Sequence, residues 1–344
     1  MVLPMTQVFE TQADRTDLPL VAMPAVLDAM IEPIKAQFPV LHDIARVRMF
    51  EDFTSDEDVL LERAKGASVL LIGGYHISDV MLRRLADEGI RCLVFCGTGV
   101  SSYVNLDLAR ELNMRVCNAE HYGDNAVAEL TFALIFELIR RVGSLDAAVK
   151  RGEWAWIGGD GLQLAGKRLG IIGLGGIGAT VARIATAFGM RVSAWSAHVP
   201  DTMFDGCGAT PVADLGELIE QSDVVSVHLP LLEGEHGTSG IITAEHLEHL
   251  RPGTLFVNTA RAEVIEPGAL LARLERGDIP AALDVYDHEP LGADDPLCWI
   301  PGLVLTPHVG WRTDGAFADL TRQMIACTAA FLTGEKFNVV VAER

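Results

Sequence analysis

The chain has 344 residues, 49% of them hydrophobic, and a formal net charge of −20. This length exceeds one ordinary core and suffices for two domains, and the apolar content excludes a disordered chain. So acidic a surface repels phosphate backbones and anionic lipid, which makes nucleic acid and membranes poor partners.

The cysteines and the start of the chain indicate the compartment. Six cysteines are spread without C-x-x-C pairs and mostly lie in apolar runs, which is typical of reduced, packed thiols rather than zinc ligands. Residues 1–17 lack a basic region followed by an apolar stretch, so no signal peptide is expected. The longest apolar runs are too short to span a bilayer. We therefore expect a cytoplasmic protein that binds no metal ion.

Short apolar runs alternate with helical patterns in the first third of the chain. The predicted strands there are residues 20–23, 45–49, 68–72 and 92–96, and the amphipathic stretches between them include 56–64 and 79–88. Such alternation predicts a parallel sheet covered by helices, the doubly wound arrangement. A long helical stretch, residues 124–142, follows.

The alternation then resumes with a second set of strands. These are residues 168–172, 191–195, 223–228, 254–258, 281–285 and 303–306. Six strands are the number in a complete dinucleotide-binding domain. A final helical stretch, residues 316–332, comes after this set and is free to return to the first domain.

A glycine motif follows the first strand of the second set. Gly173, Gly175 and Gly178 stand directly after residues 168–172, and residues 177–188 then predict a helix. Strand, G-x-G-x-x-G and helix in this order form the fingerprint of a dinucleotide site. The glycines allow a tight turn, close approach of the pyrophosphate and close helix packing, and the helix amides face the phosphates.

Three later strands run into side chains that suit the reduction of a 2-keto acid. Arg261, Glu289 and His308 each follow a different strand, and the carboxyl ends of parallel strands meet at one crevice. An arginine can hold the substrate carboxylate through two donors, and a histidine can protonate the carbonyl oxygen. A glutamate on the far nitrogen would fix the imidazole tautomer. Each residue alone has an ordinary structural explanation, but the presence of all three after the dinucleotide fingerprint favours a catalytic role.

The position that distinguishes NAD from NADP carries Ser196. In this fold an acidic residue about 20 positions after the glycines binds the ribose hydroxyls and repels a 2′-phosphate. Ser196 bonds either group, Ala197 follows it, and the nearest candidate cation is His198, a partly protonated side chain near neutral pH. We therefore expect both cofactors to be used, with a weak preference for NADP that fades as the pH rises.

At these motifs the chain resembles the D-isomer-specific 2-hydroxyacid dehydrogenase family. The similar phrases are CGTGVSSYVNLDLA (96–109), NAVAEL (125–130), GLGGIG (173–178), SDVVSVHLPL (222–231), NTARAEVIEPGAL (258–270), AALDVYDHEP (281–290) and LTPHVG (305–310). They cover the chain from residue 68 onward. Two positions depart from the usual pattern: Asn105 stands where members usually have Asp, and Ala262 stands where a Gly follows the arginine.

The resemblance implies an architecture. It is an α/β protein with two doubly wound parallel-sheet domains, a Rossmann cofactor domain inserted into a flavodoxin-like substrate domain. Residues 1–118 and 312–344 would form the substrate domain and residues 119–311 the dinucleotide-binding domain, with hinges near 118–122 and 309–313. Members pair as homodimers through the cofactor domain, and the stretch 124–142, apolar on more than one face, is expected to supply that interface.

The resemblance also implies roles for single residues. Arg261 matches the substrate-binding arginine, Glu289 the histidine-paired acid and His308 the general acid/base. Asp284 matches the acid that holds the nicotinamide carboxamide. The other residues expected at NAD(P) are Gly173, Gly175, Gly176, Ile177, Gly178, Ser196, His228, Pro230, Thr259, Ala260, His308 and Gly310. Those expected at the substrate are Gly74, Tyr75, Gly99 and Arg261, and the rings of Tyr75 and Trp311 form either an apolar wall for the substrate tail or interface packing.

Two other functions compete with a 2-keto acid reductase. Some transcriptional corepressors resemble the family and keep its Arg-Glu-His set, but they often carry a disordered tail, whereas this chain ends shortly after its last helix. Formate dehydrogenases share the fold but pair the histidine with glutamine, and Glu289 therefore points to hydroxy acid chemistry. The sequence does not name the 2-hydroxy acid, and small keto acids with NADH or NADPH are the substrates to screen.

Overall fold

A computed structural model describes residues 6–154, 156, 159–197, 199–232, 234 and 237–343, with the side chain of Asp201 excepted. The chain divides into two units, Met1–Tyr122 with Thr313–Arg344, and Gly123–Arg312. The second unit is thus continuous in sequence and interrupts the first. Within the described residues no helix is both long enough and apolar enough to cross a membrane.

The secondary structure alternates along both units. The strands are β1 (Val8–Thr11), β2 (Leu20–Met23), β3 (Arg46–Phe50), β4 (Val69–Ile72), β5 (Cys92–Phe95), β6 (Arg115–Cys117), β7 (Arg168–Ile172), β8 (Arg191–Trp195), β9 (Thr210–Pro211), β10 (Val224–Val227), β11 (Leu255–Asn258), β12 (Ala281–Leu283), β13 (Val304–Leu305) and β14 (Val339–Val341). The α-helices are α1 (Asp28–Lys35), α2 (Glu57–Ala64), α3 (Asp79–Asp87), α4 (Leu106–Glu111), α5 (Asp124–Arg140), α6 (Val142–Lys150), α7 (Gly176–Ala187), α8 (Asp201–Cys207), α9 (Leu215–Gln221), α10 (Ala244–Glu248), α11 (Ala269–Leu274) and α12 (Asp314–Thr333).

The sheet of the first unit has the order β1-β3-β2-β4-β5-β6-β14. Strands β2 to β6 pair in parallel, and β1 and β14 are antiparallel edges. Every residue of β2, β4 and β5 is buried, as expected for strands covered on both faces. The parallel strands follow the flavodoxin-like order, which reverses between β2 and β4, and ligands bind at the carboxyl ends beside such a reversal.

The sheet of the second unit has the order β13-β12-β11-β10-β7-β8-β9, with all pairs parallel. This is the Rossmann order extended by one strand, and it reverses between β7 and β10. Helices α5 and α7 pack on one face over a core that includes Phe132, Ile171 and Val257. The dinucleotide crevice of this fold lies at the carboxyl ends of β7 and β10.

The predicted fold class is confirmed, and the differences lie at the edges. The structure adds the short strands β1, β6, β9 and β14 at or next to the sheet edges, which are too short to give an apolar period. The predicted long helix ends at Arg140, because Arg141 adopts a left-handed conformation with φ of 50° and α6 begins after it. The units divide after residues 122 and 312, a few residues beyond the expected boundaries.

An ion-pair network at the amino ends of β7 and β10 gives the second unit a pH-dependent stability. Asp223 accepts from the Arg168 side chain at 2.9 Å and from Arg251 at 3.2 Å. The hydrogen bond from Arg168 lowers the pKa of Asp223 to about 2. A pKa lowered in the folded state stabilises the fold above the ordinary pKa near 4, and this stabilisation is lost as the pH falls toward 2.

We therefore expect Asp223→Asn to lower the free energy of unfolding at pH 7 by about 1 kcal/mol, after discounting for the exposed arginines. Such a loss corresponds to a Tm lower by roughly 2–4 °C. The difference from the unmutated protein should shrink between pH 4 and pH 2 in calorimetry. A Tm difference that stays constant over that range would contradict the role of the ion pair.

Candidate active site

The glycine loop after β7 is shaped by the backbone directly after β10. Gly173 has φ of +99°, and a Cβ there would lie 2.7 Å from the carbonyl oxygen of His228. A Cβ on Gly178 would lie 2.2 Å from the carbonyl oxygen of Gly173. Both positions therefore exclude any side chain, and the loop lies at the reversal between β7 and β10.

The middle glycine leaves room for a ligand. A Cβ on Gly175 would meet nothing within 4 Å, and Gly175 directly precedes α7, which begins at Gly176 and continues through Ile177. Free space over the backbone, combined with the unpaired amides of a helix start, suits a pyrophosphate. The residues present therefore fit NAD(P).

Ser196 lies next to this loop. It follows the last residue of β8, Trp195, whose carbonyl oxygen accepts a hydrogen bond from Gly173 N at 2.8 Å. Ser196 is half-buried and Ala197 is exposed. His198 lies outside the described residues, so its predicted contribution is not located.

The residues after β10 form a buried turn. His228 Nε2 lies 2.8 Å from Ser226 Oγ, and burial lowers the pKa of His228 to about 3. The imidazole is therefore neutral and adds no positive charge to this end of the sheet. The carbonyl oxygen of Pro230 accepts from Thr238 Oγ1 at 2.6 Å, which closes the following loop.

The end of β11 is held rigidly while its arginine stays free of carboxylates. Asn258 donates to the carbonyl oxygen of Arg261 and accepts from Ala260 N, both at 2.9 Å, and Thr259 Oγ1 lies 3.0 Å from Thr131 Oγ1. Among the described residues no carboxylate lies within 4.0 Å of the half-buried Arg261 side chain, which donates to the carbonyl oxygen of Ala260. Arg261 thus keeps its charge available for an anion.

His308 and Glu289 form a hydrogen-bonded pair. His308 Nδ1 lies 2.7 Å from Glu289 Oε2, and both side chains are about one-third exposed. Glu289 Oε1 accepts from Tyr286 N at 3.1 Å, which fixes the carboxylate. Because Nδ1 faces the carboxylate, Nε2 is the atom left to exchange a proton with a substrate.

Asp284 holds the segment that carries His308. Its carboxylate is 1% exposed and accepts from Thr306 Oγ1, Val309 N and Gly310 N at 2.6, 2.9 and 2.8 Å. His308 lies between these donors in a left-handed conformation with φ of +53°. The anchored turn offsets the strain that a non-glycine residue has there.

Supporting residues in this unit were missed by the sequence reasoning. The Tyr286 hydroxyl lies within hydrogen-bond distance of the carbonyl oxygens of Leu283 and Thr306, at 3.0 and 2.8 Å. Burial together with the charge of Asp284 raises the pKa of Tyr286 to about 12. Thr306 and Thr131 were missed as well. Only Tyr286 had a sequence signal, a tyrosine three positions before Glu289.

In the first unit, the structure places Gly74, Tyr75 and Gly99 on the loops after β4 and β5. Gly74 has φ of +95° and Gly99 is half-buried. The Tyr75 side chain, in contrast, is 1% exposed within the core. Of the two alternatives for this ring, burial favours packing, here within the core of the first unit.

The two departures from the family pattern keep sound local geometry. Asn105 caps α4 by accepting from Leu108 N at 3.1 Å, as an aspartate would, and also donates to Asp79 at 3.0 Å. Ala262 begins a 3₁₀ turn and is not among the residues of positive φ. Neither change disturbs the loop that it belongs to.

Comparison with known proteins adds independent information. The family described as D-isomer specific 2-hydroxyacid dehydrogenase, NAD binding domain, matches residues 132–310. The chain is similar to a D-3-phosphoglycerate dehydrogenase from Methanocaldococcus jannaschii, 33% identical over 80% of this chain and 52% of that one. It is 31% identical to a glycerate dehydrogenase from Methylorubrum extorquens over 85% of this chain and 91% of the other.

A solved structure agrees on the fold. The D-lactate dehydrogenase of Escherichia coli superposes with a TM-score of 0.80, at 24% identity, over 94% of this chain and all of that one. At that identity the likeness shows the architecture alone. The chain spans about half the length of the phosphoglycerate dehydrogenase above and nearly all of the glycerate dehydrogenase.

Proposed function

The chain belongs to the D-isomer-specific 2-hydroxyacid dehydrogenase family, whose reaction is NAD(P)-dependent, and we propose that it acts as a 2-keto acid reductase through Arg261, Glu289 and His308. The observation that carries this assignment is the 2.7 Å bond between His308 Nδ1 and Glu289 Oε2. Formate dehydrogenases pair the histidine with a glutamine, so Glu289 does not support formate oxidation.

The proton step rests on this pair. Protonated His308 donates from Nε2 to the substrate's carbonyl oxygen, and Glu289 keeps its partner nitrogen oriented and stabilises the positive charge. Asp284 positions His308 through the backbone of residues 309 and 310. The contact of Asp284 with the nicotinamide carboxamide stays a prediction, because its carboxylate already accepts hydrogen bonds from Thr306, Val309 and Gly310.

Substrate binding rests on charge. Arg261 has donors in a planar fork that matches a carboxylate, and it lies at the carboxyl end of β11 without a competing acid among the described residues. We assign the first unit to the substrate and propose that the backbone at Gly74, Tyr75 and Gly99 takes part in substrate binding.

The cofactor site is formed by the glycine loop. Gly173 to Gly178 would hold the pyrophosphate at the start of α7, with Thr259, Ala260 and Gly310 near the nicotinamide and His228 and Pro230 near the adenine. Bound NAD(P)H supplies the hydride.

The functional test is a screen of glyoxylate, hydroxypyruvate, pyruvate and phenylpyruvate with NADH and NADPH, in which oxidation of the nicotinamide is followed by its absorbance at 340 nm. If neither NADH nor NADPH is oxidised with any of these keto acids, the proposal is disproved.

The cofactor preference follows from Ser196. The half-buried hydroxyl beside the Gly173 loop can bond a ribose hydroxyl or a 2′-phosphate and repels neither. NADH and NADPH should therefore both serve, with NADPH weakly preferred.

We expect Ser196→Asp to shift the ratio of kcat/KM for NADH over NADPH toward NADH by roughly 1–3 kcal/mol, the scale of a charged hydrogen bond. This corresponds to about 5- to 150-fold. Ser196→Ala is the matched control, since it removes the hydroxyl without adding charge and should leave the ratio nearly unchanged. A native preference for NADH above about a hundredfold would show that another residue binds the ribose.

A homodimer is proposed from a surface of the second unit. Most apolar residues of α5 are buried within its own unit, including Phe132, Leu134 and Ile135, so the proposed contact extends from α5 to the helix that follows it. Helix α6 has no buried residue, although Val142, Leu145 and Val149 share one face and border a groove of about 600 Å³. Trp154 and Trp156 are 86% and 87% exposed. Exposed apolar residues that cluster on one face are typical of an interface.

We expect light scattering at micromolar concentration to give the mass of a dimer. Val149→Asp, at a position 53% exposed within one chain, should yield a monomer because it places a charge in the apolar contact. Val80→Asp, at a position 66% exposed on the first unit, is the matched control and should stay dimeric. A monomeric mass for the unmutated protein would exclude the dimer.

The compartment is proposed from the cysteines. All six are free thiols, and five of them are buried. Unpaired cysteines in this number fit a reducing compartment such as the cytoplasm.

A further inference from the structure

The loops at the strand-order reversal of the first unit carry an aromatic ladder. The Phe95 and Tyr103 rings lie 4.5 Å apart, and the Tyr103 and His76 rings are stacked at 4.3 Å with an interplanar angle of 14°. Phe95 is buried, Tyr103 half-buried and His76 exposed, so the ladder runs from the core to the surface. Its outermost member, His76, is exposed.

This ladder stands where a ligand is expected. Gly73 follows β4, and a Cβ there would lie 2.4 Å from the carbonyl oxygen of Ala25 after β2, which marks the reversal between these strands. His76 is three residues further on, and Ile77 N donates to the carbonyl oxygen of Tyr103 at 2.9 Å. The loops after β4 and β5 are thus tied together around the stacked rings.

The same loops carry no charged side chain that could pair with a phosphorylated tail. Residues 73–78 and 96–105 contain no lysine, arginine, aspartate or glutamate. At the starts of the helices that follow these loops, side chains already accept hydrogen bonds from the backbone. Glu57 accepts from Ser78 N and Ser78 Oγ at 3.1 and 3.0 Å before α3, and Asn105 caps α4. With the Glu57 and Asp79 carboxylates at these helix starts, a phosphate dianion would be repelled there rather than held.

We infer that this enzyme reduces unphosphorylated 2-keto acids with planar, apolar tails, and that His76 selects them by stacking against the tail. The inference rests on the proposed function and names the substrate class of that site. Stacking on an aromatic ring favours a phenyl group over a methyl group or hydrogen, and Tyr103, which packs on buried Phe95, keeps His76 in place.

The test compares kcat/KM for phenylpyruvate, glyoxylate and 3-phosphohydroxypyruvate, with whichever of NADH and NADPH gives the higher activity. Phenylpyruvate should exceed both others. His76→Ala should lower the phenylpyruvate-to-glyoxylate ratio by about five- to tenfold, whereas His76→Phe, which keeps a flat ring, should preserve it. His42→Ala, at an exposed histidine of the same unit, is the matched control and should leave the ratio unchanged.

Each outcome is decisive. Preference for 3-phosphohydroxypyruvate, or an unchanged ratio in His76→Ala, overturns the inference while leaving the proposed function intact. If His76→Phe lowers the phenylpyruvate-to-glyoxylate ratio as much as His76→Ala does, stacking is not the cause of the selectivity. Absence of turnover with every keto acid overturns the proposed function and the inference with it.

Discussion

His308→Ala should reduce the rate of keto-acid reduction by about 10²–10⁴-fold, the usual contribution of a general acid. The side chain that bonds Glu289 at 2.7 Å is then gone, and no other described side chain is held in its place by that carboxylate. Stopped-flow oxidation of NADPH with saturating keto acid measures the effect directly. Binding of NADPH, followed by its fluorescence, should change little, because the glycine loop after β7 is untouched.

Two further variants make this result specific. His249→Ala removes another histidine of the second unit, which lies 3.8 Å from Glu220, and should keep the full rate. Glu289→Gln keeps a hydrogen-bonding side chain but removes the charge, so its rate should fall between that of His308→Ala and the unmutated enzyme. If His308→Ala retains full turnover, the histidine is structural and the proton comes from elsewhere.

The sequence predicted the candidate site residues better than it predicted the residues that hold them in position, and the reason is physical. Gly173, Arg261, Glu289 and His308 follow strands, and strand ends are readable from apolar runs and turn residues. The contacts that hold them come from residues far away in sequence. Asp284 binds the backbone of Val309 and Gly310, a pairing that no local pattern predicts.

The fold shows the same division. The central strands were predicted because complete burial leaves a continuous apolar run, as in β4 and β5. Strand β14 was not, because it pairs antiparallel with β6 at the edge of the sheet and is only partly buried. Tyr75 illustrates the limit for single side chains, since a tyrosine after a strand can face a ligand or the core, and here it is in the core.

Arg261→Ala should weaken keto-acid binding more than any other single change proposed for the substrate. A hydrogen bond to a charged group contributes about 1.5–3 kcal/mol, so losing one raises KM roughly 10- to 150-fold, and losing both bonds of a fork raises it further. Arg261→Lys keeps the charge but not the fork and should fall in between. Initial rates over a wide range of keto-acid concentration, with NADPH saturating, give both KM and kcat.

The matched control is Arg276→Ala, which removes an exposed arginine paired with Glu248 in the same unit and should leave KM unchanged. Added guanidinium ion should restore part of the activity of Arg261→Ala but not that of His308→Ala, because it replaces the missing charge and not a proton donor. The backbone around Arg261 is held by Asn258 whatever the side chain, so the variant should fold. An unchanged KM in Arg261→Ala would mean that this arginine is an ordinary surface charge and that the substrate carboxylate is bound by the first unit alone.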